Sequence, residues 1–309
     1  MKLVFFGTAE FAVSALRRLA PHVALVVAQP DRPSGRKMQL HPSPVKAAAA
    51  ELGLPCETPE RCREPGFIER IAALGADALV VAAYGQIMPE RLLSAAKRGG
   101  INLHGSLLPK YRGAAPIQRA IFAGESETGV TLMQMDKGMD TGDAIATVAT
   151  PIGPDETAGE LFVRLAELAA DLAEAWMPRI VVGDYPRLPQ DHEQATHAPK
   201  IAKDEARIVV ASEARREYDR FRAFTPSPGA FLETVVGHVR LSEARLNPAS
   251  GEPGTLLALD PVPLLACACG ALELRTVQPE GKKRMSGRDF ANGARLTQGM
   301  TLVPQERTA

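Results

Sequence analysis

Cysteine and tryptophan are scarce in this chain of 309 residues: four and one, respectively. The thiols are Cys56, Cys62, Cys267 and Cys269, at C-x5-C and C-x-C spacings that match neither a zinc site nor a disulfide framework. They are expected as buried or idle thiols of a reducing cytoplasm, and no metal is expected. A net charge is also lacking, with 36 Lys+Arg against 36 Asp+Glu, which excludes a chain that coats nucleic acid by bulk charge. No apolar run approaches the ~20 residues that a membrane helix needs. The apolar start, Leu3 to Phe6, reads as a buried strand and is shorter than the ~7–15 residues of a signal-peptide core, so a cytoplasmic location is expected. Three catalytic signatures are missing as well. No G-x-G-x-x-G follows the first strand, no G-x-x-x-x-G-K-[ST] occurs, and Ser106 lies in no G-x-S-x-G elbow. Dinucleotide binding by the usual fingerprint, phosphoryl transfer from ATP and serine hydrolysis lose their support.

What is present is the composition of a soluble globular protein, 45% hydrophobic and 23% charged. The length predicts two domains. Over residues 1–150, short apolar runs at 2–6, 23–28, 78–83 and 100–103 alternate with helical patterns at 10–20, 44–52, 65–74 and 115–123. Continuous β-branched runs between helices predict an α/β fold, a Rossmann-like, mostly parallel sheet covered on both faces. Its ligand crevice belongs at the carboxyl ends of the strands. Further strands are expected at 129–135 and 144–152. A long helix then opens on Thr157-Ala158-Gly159-Glu160, a capping box, with Leu161, Leu165, Leu168, Leu172 and Trp176 as a core stripe. The pattern is lost from Pro186 to about Lys203. Beyond it come a helix at 212–224 and five short strands near 229–236, 238–246, 254–259, 262–268 and 271–277, which predict a small OB-like β-barrel. The expected division is a catalytic domain over 1–188, a linker over 189–206 and a barrel over 207–309. The barrel segment carries 14 basic and 11 acidic residues, net +3, and the preceding 206 carry 22 and 25, net −3. That asymmetry has the sign expected if the second domain touches a polyanion.

Three segments can carry chemistry. In 101–117, a strand ends at Asn102-Leu103-His104, whose alternation puts Asn102 and His104 on one face. An amide donor beside an imidazole suits stabilising an oxyanion and moving a proton. The following loop holds Gly105, Pro109 and Gly113 to fix its path, with Lys110 and Arg112 to hold an anion. The second segment, 133–143, packs Asp136, Asp140 and Asp143 with two glycines; an aspartate from it facing His104 would orient the imidazole. An Asx-turn connector is the bland alternative. The third, 29–46, sets Arg32, Arg36, Lys37 and Lys46 against the single acid Asp31, a basic loop able to meet phosphates or merely a solvated one. The tip Gly281-Lys282-Lys283-Arg284 has the same two readings.

Together these segments resemble the folate-dependent formyltransferases. The shared features are N-x-H, S-L-L-P-x-Y-x-G from Ser106 to Gly113, and D-x-G-x-D-T-G-D from Asp136 to Asp143. Within that family the chain is most similar to the branch whose acceptor is methionyl-tRNA. It shares Q-P-D-R-P-x-G-R at 29–36, P-S-P-V-K at 42–46, R-G-A-A-P-I-Q-R at 112–119, K-x-x-K-x-E-A-R-I at 200–208 and P-x-G-K-K-x-M-S at 279–286. It departs at Val209-Val210, where the family often has tryptophan, and at Thr225-Pro226-Ser227-Pro228. The resemblance implies formyl transfer from 10-formyltetrahydrofolate to the α-amine of initiator methionyl-tRNA, for translation initiation. The catalytic residues would be Asn102, His104 and Asp140. Ser106, Leu107, Leu108, Pro109, Tyr84, Gly85 and Asp136 would meet the folate. Arg32, Arg36, Lys37, Lys282 and Lys283 would meet tRNA. A monomer without membrane contact is expected. The alternative acceptors are an amino sugar nucleotide or a glycinamide ribotide.

Overall fold

The computed structural model describes residues 1–34 and 39–304. The chain runs through β1 (Leu3–Gly7), α1 (Val13–Leu19), β2 (Val23–Val27), a hairpin of β3 (Arg32–Ser34) and β4 (Gln39–His41), α2 (Pro44–Glu51), β5 (Cys56–Glu57) and α3 (Pro65–Ala73). Next come β6 (Ala78–Ala82), α4 (Glu90–Leu93), β7 (Gly100–His104), β8 (Arg112–Gly113), α5 (Pro116–Phe122), β9 (Glu127–Gln134), β10 (Ala144–Pro151) and α6 (Ala158–Val182). The remainder is β11 (His197–Ala198), α7 (Ala214–Ala223), β12 (Phe231–Thr234), β13 (Gly237–Asn247), β14 (Leu256–Ala258), β15 (Leu264–Ala266), β16 (Ala271–Pro279), β17 (Met285–Ser286) and α8 (Gly287–Gly293).

These elements form two compact units. One comprises residues 1–116, 127–150 and 162–198; the other comprises 117–126, 151–161 and 199–309. The stretch 189–206, expected as a linker, is thereby divided at 198/199.

The first unit is built on a seven-stranded sheet of order β10-β9-β7-β6-β1-β2-β5. β5, β2, β1, β6 and β7 run parallel, and β9 runs antiparallel to β7. Every residue of β1 and β6 is buried, as continuous apolar runs require when both faces are covered, and every residue of β7 is buried too, its polar Asn102 and His104 included. On one face, Val4, Phe6, Leu79 and Val81 pack with Phe67, Ile68 and Ile71 of α3 and with Leu92 and Leu93 of α4. The stripe of α6 differs in detail from expectation. Leu161 and Leu165 are buried as expected, but the buried stripe continues through Ala169, Ala173, Met177 and Ile180, whereas Leu168, Leu172 and Trp176 are only half-buried. Arg179 lies over the Trp176 ring, 4.6 Å from its centroid.

In the second unit, β12-β13-β16-β15-β14 form an antiparallel sheet, with β17 added to β16. Residues 300–302 link its outer strands: Leu256 N–H donates to Met300 O, Leu302 N–H to Gly254 O, and Val235 N–H to Leu302 O. This connection gives the sheet the barrel-like closure that removes exposed edges. The capping box is formed, with Glu160 Oε2 accepting from Thr157 N at 2.8 Å and from Thr157 Oγ1 at 2.7 Å. Six of the ten residues of α7 are charged, yet Glu217, Asp219 and Arg222 are buried. Arg222 Nη2 meets Asp219 Oδ1 at 2.5 Å and Arg222 Nη1 donates to the carbonyls of Gly153 (2.9 Å) and Glu156 (3.1 Å), binding residues 151–161 to α7. Arg119 binds Glu205 through two hydrogen bonds of 2.6 and 3.0 Å.

Candidate active site

The carboxyl ends of parallel strands leave main-chain groups and side chains pointing into a crevice. Here β7 ends with Asn102 and His104, both buried. Alternation puts their side chains on one face, and a single carboxylate meets both. Asn102 Nδ2 donates to Asp140 Oδ1 at 3.3 Å, and His104 Nδ1 lies 3.5 Å from Asp140 Oδ2. The Gly113 N–H donates to the same Oδ2 at 2.9 Å. On its far side, His104 Nε2 is 2.9 Å from the carbonyl of Tyr111. A carbonyl only accepts, so it is the Nε2–H that donates to Tyr111 O.

The loop between β9 and β10 delivers Asp140 through local chemistry. Asp136 Oδ1 accepts from Gly138 N at 2.9 Å and from Thr141 Oγ1 at 2.7 Å, the Asx-turn arrangement. Asp140 itself has φ +54°, a left-handed conformation that Asp tolerates better than most residues. Gly142 admits no side chain: a Cβ there would stand 2.0 Å from the Gln134 carbonyl.

The loop after β7 is held equally firmly. Ser106 is fully buried, and its Oγ donates to Lys110 O at 2.7 Å. Thr131 Oγ1 donates to Ser106 O at 2.7 Å and accepts from Leu108 N at 3.1 Å. Leu107, Leu108 and Pro109 thus follow a pinned path, with a cis peptide between the last two. Along the same carboxyl edge, after β6, Tyr84 O accepts from Thr8 Oγ1 at 2.8 Å and from Gln29 Nε2 at 2.9 Å. The Tyr84 ring itself packs edge-on to Phe6 at 5.2 Å, within the apolar core under the sheet. Burial, with Cys62 beside it, raises the Tyr84 hydroxyl above the usual tyrosine range. Gly85 has φ +84°, and a Cβ there would stand 2.3 Å from Gln29 Nε2.

Of the expected site residues, the structure gathers Asn102, His104 and Asp140 into direct contact. It places the Ser106–Pro109 loop immediately after β7, with Tyr84 and Gly85 following the neighbouring β6. Asp136 is exposed, and Oδ1 of its carboxylate is engaged within its own loop. Arg32 lies on the β3–β4 hairpin, where it donates to Gln29 Oε1 at 3.3 Å. Arg36 and Lys37 lie outside the described residues. Lys282 and Lys283 are exposed in the turn between β16 and β17 of the second unit. Among the described residues no group of three or more His, Cys, Asp or Glu is placed to hold a metal ion. Among the described residues no helix is long and apolar enough to cross a membrane.

One expectation is corrected. Arg112 does not face outward to hold an anion; it is buried, and its guanidinium is taken by Gln190 and His192. Sequence reasoning missed this partner segment. Residues 188–198 lie along the loops after β7 and β9: Leu188 bridges Ala144, Thr196 Oγ1 accepts from Tyr111 N at 2.8 Å, and β11 pairs with β8. The segment has no hydrophobic period, and its polar side chains read as linker. The only local signal was a glutamine and a histidine among the Pro and Asp residues.

Comparison with known proteins agrees with this geometry. The family model described as formyl transferase matches residues 1–180, and the one described as formyl transferase, C-terminal domain, matches 200–295. A methionyl-tRNA formyltransferase from Sorangium cellulosum is 45% identical over 312 aligned residues, covering 98% of this chain and 99% of the relative. One from Symbiobacterium thermophilum is also 45% identical, covering 99% and 96%. Among solved structures, an N-formyltransferase from Helicobacter canadensis, in complex with folinic acid and dTDP-3-aminofucose, has a TM-score of 0.66 at 18% identity, covering 89% of this chain and 98% of that one. That likeness concerns the fold. Methionyl-tRNA formyltransferases align with it over nearly its whole length and both halves match the family's own models, so the chain belongs to the formyl transferase family.

Proposed function

We propose that this chain transfers the formyl group of 10-formyltetrahydrofolate to the α-amine of methionyl-tRNA, the initiator species, in the cytoplasm. The observation that carries the chemistry is one carboxylate, Asp140, in contact with both Asn102 and His104 at the end of β7. The likeness to methionyl-tRNA formyltransferases over the whole length supports the acceptor.

In this reading the amine attacks the formyl carbon, a C–N bond forms, and the carbonyl electron pair moves onto oxygen. Asn102 has two amide hydrogens; with one on Asp140, the other is available to the oxyanion, and His104 supplies a second donor when its Nε2–H leaves the Tyr111 carbonyl for the oxyanion. Asp140 holds the imidazole and takes the proton that the attacking amine must lose. The tetrahedral carbon then expels the folate nitrogen, which receives that proton, directly or through a water. Ser106 to Pro109, the main chain at Tyr84 and Gly85, and the loop of Asp136 form the folate side. Arg32, Arg36, Lys37, Lys282 and Lys283 contribute position and affinity for tRNA phosphates rather than chemistry. The proposed division of labour is residues 1–188 for formyl transfer, with 189–198 packed along its site loops, and 207–309 for tRNA contact.

The direct test supplies labelled 10-formyltetrahydrofolate with initiator Met-tRNA, elongator Met-tRNA, an amino sugar nucleotide and glycinamide ribotide in parallel. Label on initiator Met-tRNA is the expected result. Label on the sugar or the ribotide alone would overturn the acceptor while leaving the formyl chemistry intact.

A further inference from the structure

Gln190 is buried and spends both ends of its amide on the loops around the proposed site. Its Nε2 donates to two main-chain carbonyls of the aspartate loop, Asp140 O at 2.9 Å and Gly142 O at 2.7 Å. Its Oε1 accepts from Arg112 twice, from Nε at 3.1 Å and from Nη2 at 2.6 Å. Arg112 Nη2 is also 3.0 Å from His192 Nδ1, and Arg112 precedes Gly113, whose N–H holds the Asp140 carboxylate.

Donor and acceptor rules fix this arrangement. A guanidinium only donates, so the oxygen of Gln190 must face Arg112 and its nitrogen must face the carbonyls. Turning the amide over would set NH2 against the guanidinium and oxygen against two oxygens. The amide is therefore locked in one orientation, and it grips Asp140 by its own main chain. That residue sits in a left-handed conformation and needs its neighbours to hold it there.

We propose that Gln190, oriented by Arg112, is a positioning residue: it clamps the Asp140 loop so that the carboxylate stays in register with His104 and Asn102. The inference rests on the proposed formyl transfer for its kinetic consequences, but the clamp itself is a property of the fold. Displacement of a catalytic group by about 1 Å can cost about a hundredfold in rate.

The test uses Gln190→Glu in the full-length protein. This variant keeps an acceptor for Arg112, so the buried guanidinium is not orphaned, but it replaces the donor to both carbonyls with an oxygen. Expected for formyl transfer to Met-tRNA is a fall in kcat of about ten- to a hundredfold, with KM for either substrate changed by less than about twofold. In an Asp140→Asn background the same substitution should cost less than about twofold more, because the clamp acts only through Asp140. Equal fold losses in both backgrounds, or an unchanged kcat, would overturn the proposal. The second readout needs no activity. Hydrogen exchange at the Gly113 amide, which bonds to the Asp140 carboxylate, should quicken about tenfold in Gln190→Glu while exchange in β1 and β6 is unchanged. Exchange at Gly113 equal to that of the unsubstituted protein refutes the clamp. If the unsubstituted protein transfers no formyl group to Met-tRNA, the functional reading fails and the exchange experiment still decides the clamp.

Discussion

Asp140 Oδ2 stands 3.5 Å from His104 Nδ1, and the loop that brings it there sits between β9 and β10, not on β7. The same carboxylate takes the Asn102 amide on its other oxygen. Each of the three side chains should matter to rate more than to binding. Asn102→Ala or His104→Ala removes a preorganised donor, and kcat should fall about 10²–10³-fold. Asp140→Asn keeps the shape and removes the charge and the proton acceptor, and should cost at least as much. Single-turnover formyl transfer measures this directly; near-full kcat in any of the three variants contradicts its role.

The loop around Asp140 should tolerate no methyl at Gly142. A Cβ there meets the Gln134 carbonyl at 2.0 Å, and β9 cannot yield because it pairs with β7. Gly142→Ala should therefore lower kcat by tenfold or more, in line with about 1 Å of loop displacement. Gly66 lies in α3 of the same unit with nothing within 4 Å of its ideal Cβ. Gly66→Ala should leave kcat unchanged and be neutral or stabilising by up to about 1 kcal/mol. Comparing the two variants separates a crowded glycine from an idle one.

Much of this was legible in the residues. The β1, β2 and β6 runs are unbroken apolar strings between helices, and the shared face of Asn102 and His104 at the end of β7 follows from period-two alternation. The capping box at Thr157 uses local chemistry alone. What was hidden depends on long-range pairing. Gln190 and Arg112 are far apart in sequence, and each looks like a surface residue until the other satisfies it. Residues 117–126 and 151–161 belong to the unit that holds the C-terminal strands, which no local pattern announces. The charges of α7 are buried because Glu217 and Arg220, and Asp219 and Arg222, stand at i,i+3, so each charge brings its own partner.

That buried network makes a stability prediction. Arg222 is almost wholly inaccessible and holds Asp219 together with the carbonyls of Gly153 and Glu156. Arg222→Met removes one partner of a buried pair and leaves Asp219 with only the half-exposed Arg215. Unfolding by urea should show a loss of about 3–5 kcal/mol. A loss below about 1 kcal/mol would mean that water reaches the pair.

The second unit should also weaken in alkali. Burial pushes the Cys267 thiol up to about 12 from its ordinary 9.0. Burial, then the hydrogen bond to Asp155, pushes the Tyr218 hydroxyl up to about 12 from 10.0. Both groups are acids whose folded values lie above their unfolded ones. Their contribution is intact below about pH 9 and is lost as pH rises toward 12, because the unfolded chain releases protons that the folded one retains. Denaturation midpoints measured from pH 8 to 11 should fall, and fall less in Cys267→Ala than in the unsubstituted protein. At pH 8 a thiol reagent should find exposed Cys269 quickly and buried Cys62 and Cys267 only after unfolding.

The turn between β16 and β17 bears on the acceptor. Lys282 and Lys283 are exposed there, beside Gly281 at φ +72°, so their ammonium groups are free to reach phosphate without desolvation. If they contact tRNA, Lys282→Ala/Lys283→Ala should weaken Met-tRNA binding most at low salt. Each lost phosphate contact lowers the slope of log K against log salt by about 0.7–0.9. The two binding curves should then converge as salt rises. kcat at saturating Met-tRNA should change by less than about twofold, because the lysines position rather than react. A defect of the same size at every salt concentration, or none at all, would remove this turn from the tRNA surface and leave the Asn102–His104–Asp140 chemistry untouched.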